Sequence, residues 1–149
     1  MNAKVFSNEF LQVMVPDNWK AFLGIDAECN VTQKKLHIYK DAESELDIFH
    51  KAGITICYYE DAGQYLLIKE LYDDVIEISP FVLGNYCWSG YTCKSFGYPY
   101  IMLESSEKMD RILLMILTEN GENKISFSDN DVQEIIKSIV AGRRGEKQL

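Results

Sequence analysis

The stretch from Phe81 to Leu117 constrains the fold most. It reads as three β-type segments, roughly 81–95, 99–105 and 110–118, divided by the turn signals "FGYP" and "SSEKMD". Short turns between strands favour antiparallel pairing, because parallel neighbours need a crossover of a dozen or more residues. The earlier part of the chain adds more of the same. "EFLQVMVP" (9–16) alternates and ends in proline, "PDNW" (16–19) is a turn, and Trp19 opens a short extended piece to Leu23. After the polar connection "GIDAECN" (24–30), "KKLHIYK" (34–40) is a second clear strand, with Leu36 and Ile38 on one face and His37 and Tyr39 on the other. "ITICYY" (54–59) is β-branched and aromatic, the composition of a buried strand. Between them, residues 41–53 hold either a single helical turn around Ser44–Phe49 or an acidic loop carrying Ile48 and Phe49 inward.

Two segments carry helical periodicity. In "EDAGQYLLIKELYDD" (60–74), Tyr65, Leu66, Ile68, Leu71, Tyr72 and Val75 recur at three- and four-residue spacings, and "EISP" stops the pattern at a proline. In "SDNDVQEIIKSIVAGRR", Val132, Ile135, Ile136, Ile139 and Val140 form an apolar stripe. Ser128 suits its N-cap, Gly142 its C-terminal cap, and Arg143 and Arg144 the negative end of its dipole. "ENGEN" (119–123) is a turn and "KISF" (124–127) a short strand or lead-in. These elements predict an α+β fold: an antiparallel β-sheet of about six strands covered by a central helix and a C-terminal helix. The expected organisation is one domain over 1–149, with an ordered core of about 9–141 and a frayed tail over 143–149.

The totals narrow the function classes. At 47% hydrophobic and 26% charged, the mix is that of an ordinary globular chain. A net charge of -8 repels phosphate backbones and anionic membrane surfaces, so neither nucleic acid nor membrane is an expected partner; a basic protein surface is. No apolar run approaches the ~18 residues of a membrane span. "MNAKVFSNEF" lacks the basic and apolar regions of a signal peptide, and four cysteines at 29, 57, 87 and 93 do not form a dense secreted framework. A cytoplasmic location is the expectation.

Taken in order, the elements resemble the small α+β domains of the PsbP/DcrB-like group, a fold shared by the Ran-binding Mog family. The resemblance rests on a strand running into a "VP-x-x-W" turn, here Val15-Pro16-Asp17-Asn18-Trp19, and on a closing strand and helix of the "SDNDVQEIIKSI" kind, Ser128 to Ile139. It spans roughly residues 9–141. It implies the fold and a tendency toward non-catalytic binding roles. No photosystem-type metal site or Ran-binding surface matches residue by residue, so it carries no active site across.

The chemistry-bearing residues are sparse. Cys87 and Cys93 are separated by five residues rather than the two to four of common zinc knuckles. A disulfide between them requires a three-residue "SGY" hairpin loop; in a two-residue "SG" loop Cys87 faces Thr92, and in one continuous strand the sulfurs lie roughly 20 Å apart. Cys57 or Cys93 with His37 or His50 is the one arrangement that could support a small cysteine/histidine-dependent hydrolase, although no nucleophile motif surrounds either thiol. "TENGENKISFSD" (118–129) echoes a calcium loop but has Thr118 for the first aspartate and Asn123 for the glycine, and reads better as a turn. No phosphate cradle is present, and no metal or cofactor is expected.

What remains is "YCWSGYTCKSFGYPY", Tyr86–Tyr100. Read as a strand entering a turn at Gly97-Tyr98-Pro99, it places one set of rings in the core and another on an exposed sheet face. Trp88, Tyr91, Tyr98 and Tyr100 are the candidate contact surface, because exposed tyrosine and tryptophan give rigid amphipathic contact area. The expected function is a non-enzymatic protein- or ligand-binding accessory module. The hydrolase is the alternative, and an acidic inhibitor of a basic nucleic-acid-binding protein is a weaker one.

Overall fold

The computed structural model describes residues 3–61, 69–105 and 110–142. It begins with β1 (Ala3–Ser7), β2 (Leu11–Pro16), β3 (Trp19–Ile25), β4 (Val31–Lys40) and β5 (Gly53–Tyr59). These are followed by β6 (Asp73–Leu83), β7 (Tyr86–Ser95), β8 (Tyr98–Ser105) and β9 (Arg111–Leu117). The hairpin β10 (Glu119–Asn120) and β11 (Asn123–Lys124), the helix α1 (Asn130–Ser138) and β12 (Val140–Ala141) complete it. β3 to β9 form one seven-stranded antiparallel sheet in the order β3-β4-β5-β9-β8-β7-β6. β1, β2 and β12 form a separate three-stranded sheet.

The expected sheet of about six strands covered by two helices is therefore corrected. The described residues are mostly strand, with one α-helix. The core of the expected central helix, residues 62–68, lies outside the described residues. Its described flanks are not helical in the expected way: residues 69–71 make a single 3-10 turn, and β6 begins at Asp73. Leu71, assigned to the apolar stripe, is 75% exposed. "DDVIEISPFVL" follows the β-branched alternation of a strand instead. Pro80 does not end an element; it lies on an edge strand, where β6 bulges between Ile78 and Phe81, and a missing N–H is tolerated at such a place. The expected long segment 81–95 is likewise split by a turn at Gly84-Asn85.

The central strands are apolar on both faces because both faces are covered. Ile54, Ile56, Trp88, Leu103, Leu114 and Ile116 point to the inner face, against α1 and the small sheet. Cys57, Leu113, Tyr91, Cys93 and Met102 point to the outer face, in two smaller clusters. Tyr72, just before β6, and Val75, within it, pack on the second of these.

Four contacts hold α1 and the small sheet to each other and to the inner face. The Trp19 indole N–H donates to the Asp131 carboxylate at 2.9 Å, tying the Pro16–Trp19 turn to the first turn of the helix. The Ser138 hydroxyl accepts from the Met14 N–H at 2.8 Å, and the Tyr86 hydroxyl accepts from the Ala141 N–H at 2.9 Å. Gly84, at φ +68, sits so close to the helix that a Cβ there would lie 2.6 Å from the Lys137 carbonyl oxygen. The N-cap is Asp129, one residue after the expected Ser128. The helix ends at Ile139, which is extended, rather than at Gly142. Ile139 is drawn into the core and the chain at once pairs as β12 with β2; Gly142 instead donates its N–H to the Phe10 carbonyl. Residues 143–149, with Arg143 and Arg144, lie outside the described residues. No helix among those described is long and apolar enough to cross a membrane.

Candidate contact surface

β7 distributes the aromatic run between the two faces. Trp88, Gly90 and Thr92 alternate with Tyr91 and Cys93 along the strand. Trp88 is completely buried on the inner face; its indole N–H donates to the Leu83 carbonyl at 3.1 Å, and its ring meets Tyr86 edge-on at 5.6 Å. It anchors the β6–β7 hairpin and is closed to any partner. Tyr91 is on the outer face but only 3% exposed, tilted against Tyr72 at 6.3 Å and packed with Cys93 and Met102. Tyr100 is half-buried beside it; burial first, then the neighbouring Tyr39, Tyr72, Cys93 and Tyr98, pushes its phenol up to about 12. Of the four residues expected to form a contact surface, Tyr98 alone is exposed, at 46%.

Among the described residues the most exposed ring, Phe96, lies outside that set. β7 pairs with β8 down to Ser95↔Tyr98, leaving a two-residue loop of Phe96 and Gly97. Both have positive φ, +51 and +84, as a type I′ hairpin turn requires. The turn is thus Phe96-Gly97, and Tyr98-Pro99 already belongs to β8. Gly is at home there; Phe is not, because a left-handed conformation brings Cβ of an ordinary L-residue against its own backbone. Nothing in the core compensates, since Phe96 is 97% exposed. The signal was in the sequence, as a two-residue x-Gly spacing between alternating strands, but the "YP" that follows draws the turn two residues too late.

Other apolar groups lie at the same end of the sheet. One cross-strand row on the outer face runs Tyr39, Gly53, Leu117, Tyr100, Cys93. Gly53 lets the Tyr39 ring lie across it; a Cβ would sit 2.4 Å from that ring. At the same end of the sheet the turn over Glu45–Phe49 leaves Leu46 and Phe49 exposed, so Phe49 does not pack inward. Asn120 fixes this turn by donating to the Phe49 carbonyl at 3.0 Å, and Asn123 by donating to the His50 carbonyl at 2.8 Å. Asp41, Glu43, Glu45, Asp47, Asp73, Asp74, Glu119 and Glu122 belong to the loops and strand ends on this side, against Lys20, Lys40, Lys51, Lys94 and Lys124.

The groups considered for catalysis do not assemble. His37 and Thr55 face each other across β4 and β5, with His37 Nδ1 at 2.8 Å from the Thr55 hydroxyl. Burial, then the charge of Lys35, lowers the imidazole to about 4, so it is neutral at pH 7. Cys57 is on the same face opposite Lys35, and burial pushes its thiol up to about 11. Burial raises Cys93 as well. A protonated thiol is a poor nucleophile, and among the described residues no hydrogen bond joins a thiol to an imidazole. All four cysteines are free. Cys87 and Cys93 lie on one continuous strand, the register that separates their sulfurs. Among the described residues no group of three or more His, Cys, Asp or Glu converges on a metal position, and the calcium-like stretch is the β10–β11 hairpin followed by the lead-in to α1.

No family model and no curated protein matches the chain. Among solved structures, a chain from Bacteroides thetaiotaomicron is similar, with a TM-score of 0.55 and 12% identity. The similarity covers 97% of this chain and 50% of that one, so this chain spans about half the length of its structural neighbour. At that identity the likeness concerns the fold alone.

Proposed function

We propose that the chain is a non-enzymatic binding module that docks a protein partner with its Phe96–Tyr98 hairpin tip. The observation that carries this is Phe96: a fully exposed phenylalanine at positive φ, in a turn position where asparagine would be easier. Strain held by an exposed apolar side chain is the pattern of a functional site rather than of packing. Tyr98 extends the tip, Phe49 is exposed at the same end of the sheet, and exposed rings are the usual anchors of protein interfaces. The acidic residues around it and the net charge of -8 favour a basic partner surface. Four free thiols fit the reducing cytoplasm as its location. Kinship with the PsbP/DcrB-like group, resting on the Pro16–Trp19 turn and the closing helix, is part of the same reading and points the same way.

Replacing Phe96 by a photoreactive phenylalanine tests the proposal. Irradiation in cells should give one discrete adduct, suppressed by excess wild-type protein and not by excess F96S/Y98S protein. An adduct pattern identical to that from a label at Gly121, a second exposed turn, would count against the tip, as would turnover of a substrate lost on mutating Cys57 or His37.

A further inference from the structure

The large sheet ends in two edge strands, and they are guarded differently. β6 carries Pro80, two bulges and the carboxylates of Asp73, Asp74 and Glu77, all of which discourage a further strand from pairing. β3 has no proline, Lys20 is its one charge, and its register shifts only after Leu23. Trp19–Leu23 is a regular edge. Hydrogen-bond alternation says which of its groups face out. The Lys40 N–H donates to the Ala52 carbonyl at 3.0 Å and the Asp41 N–H to the Asn18 carbonyl at 2.7 Å. Tyr39 and His37 therefore bond β3, through Lys20 and Phe22, and Trp19, Ala21 and Leu23 turn their N–H and carbonyl groups to the open side. The same alternation applies to β1. The Asn8 N–H donates to the Leu11 carbonyl at 2.9 Å, so Phe6 and Lys4 bond β2 and Val5 turns outward. Among the described residues no strand pairs with either outward row.

The two rows border one hollow of about 290 Å³. Val5, Phe6, Val15, Trp19 and Ala21 make it largely apolar, and the hydrogen bond from Trp19 to Asp131 fixes its indole. Exposed Lys4 and Lys20 line it against Asp17, a local excess of positive charge on a chain of net charge -8. Among the described residues neither lysine has a carboxylate partner; Lys20 donates to the Glu43 carbonyl at 3.1 Å. Unpaired backbone groups beside an apolar floor are what an extended peptide needs: the main chain supplies affinity and alternate side chains supply specificity. β1 bounds the hollow opposite β3, so it suits a single added strand better than the edge of a second folded sheet. The lysines select a peptide with acidic residues.

We propose that the β3 edge takes an extended acidic segment of a protein partner as an added strand. Its backbone bonds Ala21 and Leu23, alternate aliphatic side chains enter the hollow beside Phe6, Val15 and Trp19, and its carboxylates meet Lys4 and Lys20. The site is separate from the hairpin tip and does not rest on the reading given above.

The test is an NMR titration of the isotope-labelled full chain with the peptide acetyl-Glu-Val-Thr-Val-Thr-Val-Glu-amide. Its counterpart with lysine for glutamate is the charge control. The acidic peptide N-methylated at its valines is the backbone control, because those N–H groups would face β3. The acidic peptide should give saturable shifts at Val5, Ala21 and Leu23 and slow the amide hydrogen exchange of Ala21 and Leu23. The lysine peptide should bind roughly tenfold more weakly, as the loss of two exposed ion pairs allows, and the methylated peptide should not bind. A21P should abolish binding; the Ala21 N–H points away from β4, so proline there breaks no bond of the sheet. K4E/K20E, at two exposed positions, should reverse the preference between the acidic and lysine peptides and keeps the test decisive if A21P does not fold. The proposal is overturned if the acidic peptide gives no saturable shift at Ala21, if the methylated peptide binds equally, or if K4E/K20E leaves the preference unchanged. Slow exchange at Ala21 that grows with protein concentration before any peptide is added would make a second copy the occupant and overturn it too.

Discussion

Replacing Phe96 by asparagine should stabilise the protein. Phe96 has φ +51 and Gly97 φ +84. For an ordinary L-residue the left-handed conformation costs roughly 1–2 kcal/mol, and asparagine avoids much of that by local hydrogen bonding. Since Phe96 is 97% exposed, its removal forfeits almost no burial. The net expectation for F96N is a gain of about 1 kcal/mol, or ~2–4 °C in Tm for a chain of this size. Urea unfolding should show a higher midpoint at unchanged slope, which separates a stability change from a change in the unfolded state. Gly97→Ala is the matching control. A Cβ at Gly97 meets nothing within 4 Å, so any destabilisation there is dihedral strain alone. If F96N lowers the midpoint, Phe96 makes stabilising contacts and the strain argument fails; the case for a docking tip would fall with it.

Other expectations concern the frame. G84A should destabilise by about 2–4 kcal/mol, combining positive-φ strain with a Cβ 2.6 Å from the Lys137 carbonyl; denaturant melts would read it, and a loss under 1 kcal/mol would mean that α1 sits further from the hairpin. W19F should lose about 2 kcal/mol with its hydrogen bond to Asp131, and D131N should add little further loss in the double variant if the two residues act as a pair, as denaturant melts of the four proteins would show. Iodoacetamide at pH 7 should label exposed Cys29 well before Cys57, whose thiol is raised to about 11; mass spectrometry of timed digests decides, and rapid labelling of Cys57 that depends on His37 would revive the hydrolase. For His37, lowered to about 4 from an unfolded value near 6.5, the unfolded chain binds the proton first as pH falls. Its stabilising contribution is complete above pH 6.5 and lost on descending to about 4, so H37Q should flatten the stability profile in that window.

The strands were legible because their signals are local. "ITICYY", "KKLHIYK" and "RILLMIL" are β-branched or doubly apolar, and each became a central strand. The apolar stripe of the closing segment likewise gave α1. The central helix was misread where periodicity is ambiguous: Leu71, Tyr72 and Val75 fit a three-to-four spacing, but Asp73–Leu83 is recruited to the sheet edge by pairing with β7, which no local window contains. The contact surface failed for a related reason. Alternation places Trp88 and Tyr91 on opposite faces, but it cannot reveal that both faces of this sheet are covered, the outer one near Tyr91 partly by Tyr72. Phe96 was visible as part of an aromatic run, whereas its exposure depends on a register that two competing turn signals left open.

The tie between Met14 and Ser138 joins residues 124 apart in sequence. All seven strands of the large sheet have been synthesised by Leu117, yet α1 and β12, which cover its inner face, come from residues 130–141. Until then Trp88, Leu103, Leu114 and Ile116 have only the β1–β2 part of the small sheet to pack against, and much of the inner face lacks its cover. A chain cut after β9 should therefore display a sticky surface and bind chaperones, and restoring residues 118–142 should end that binding.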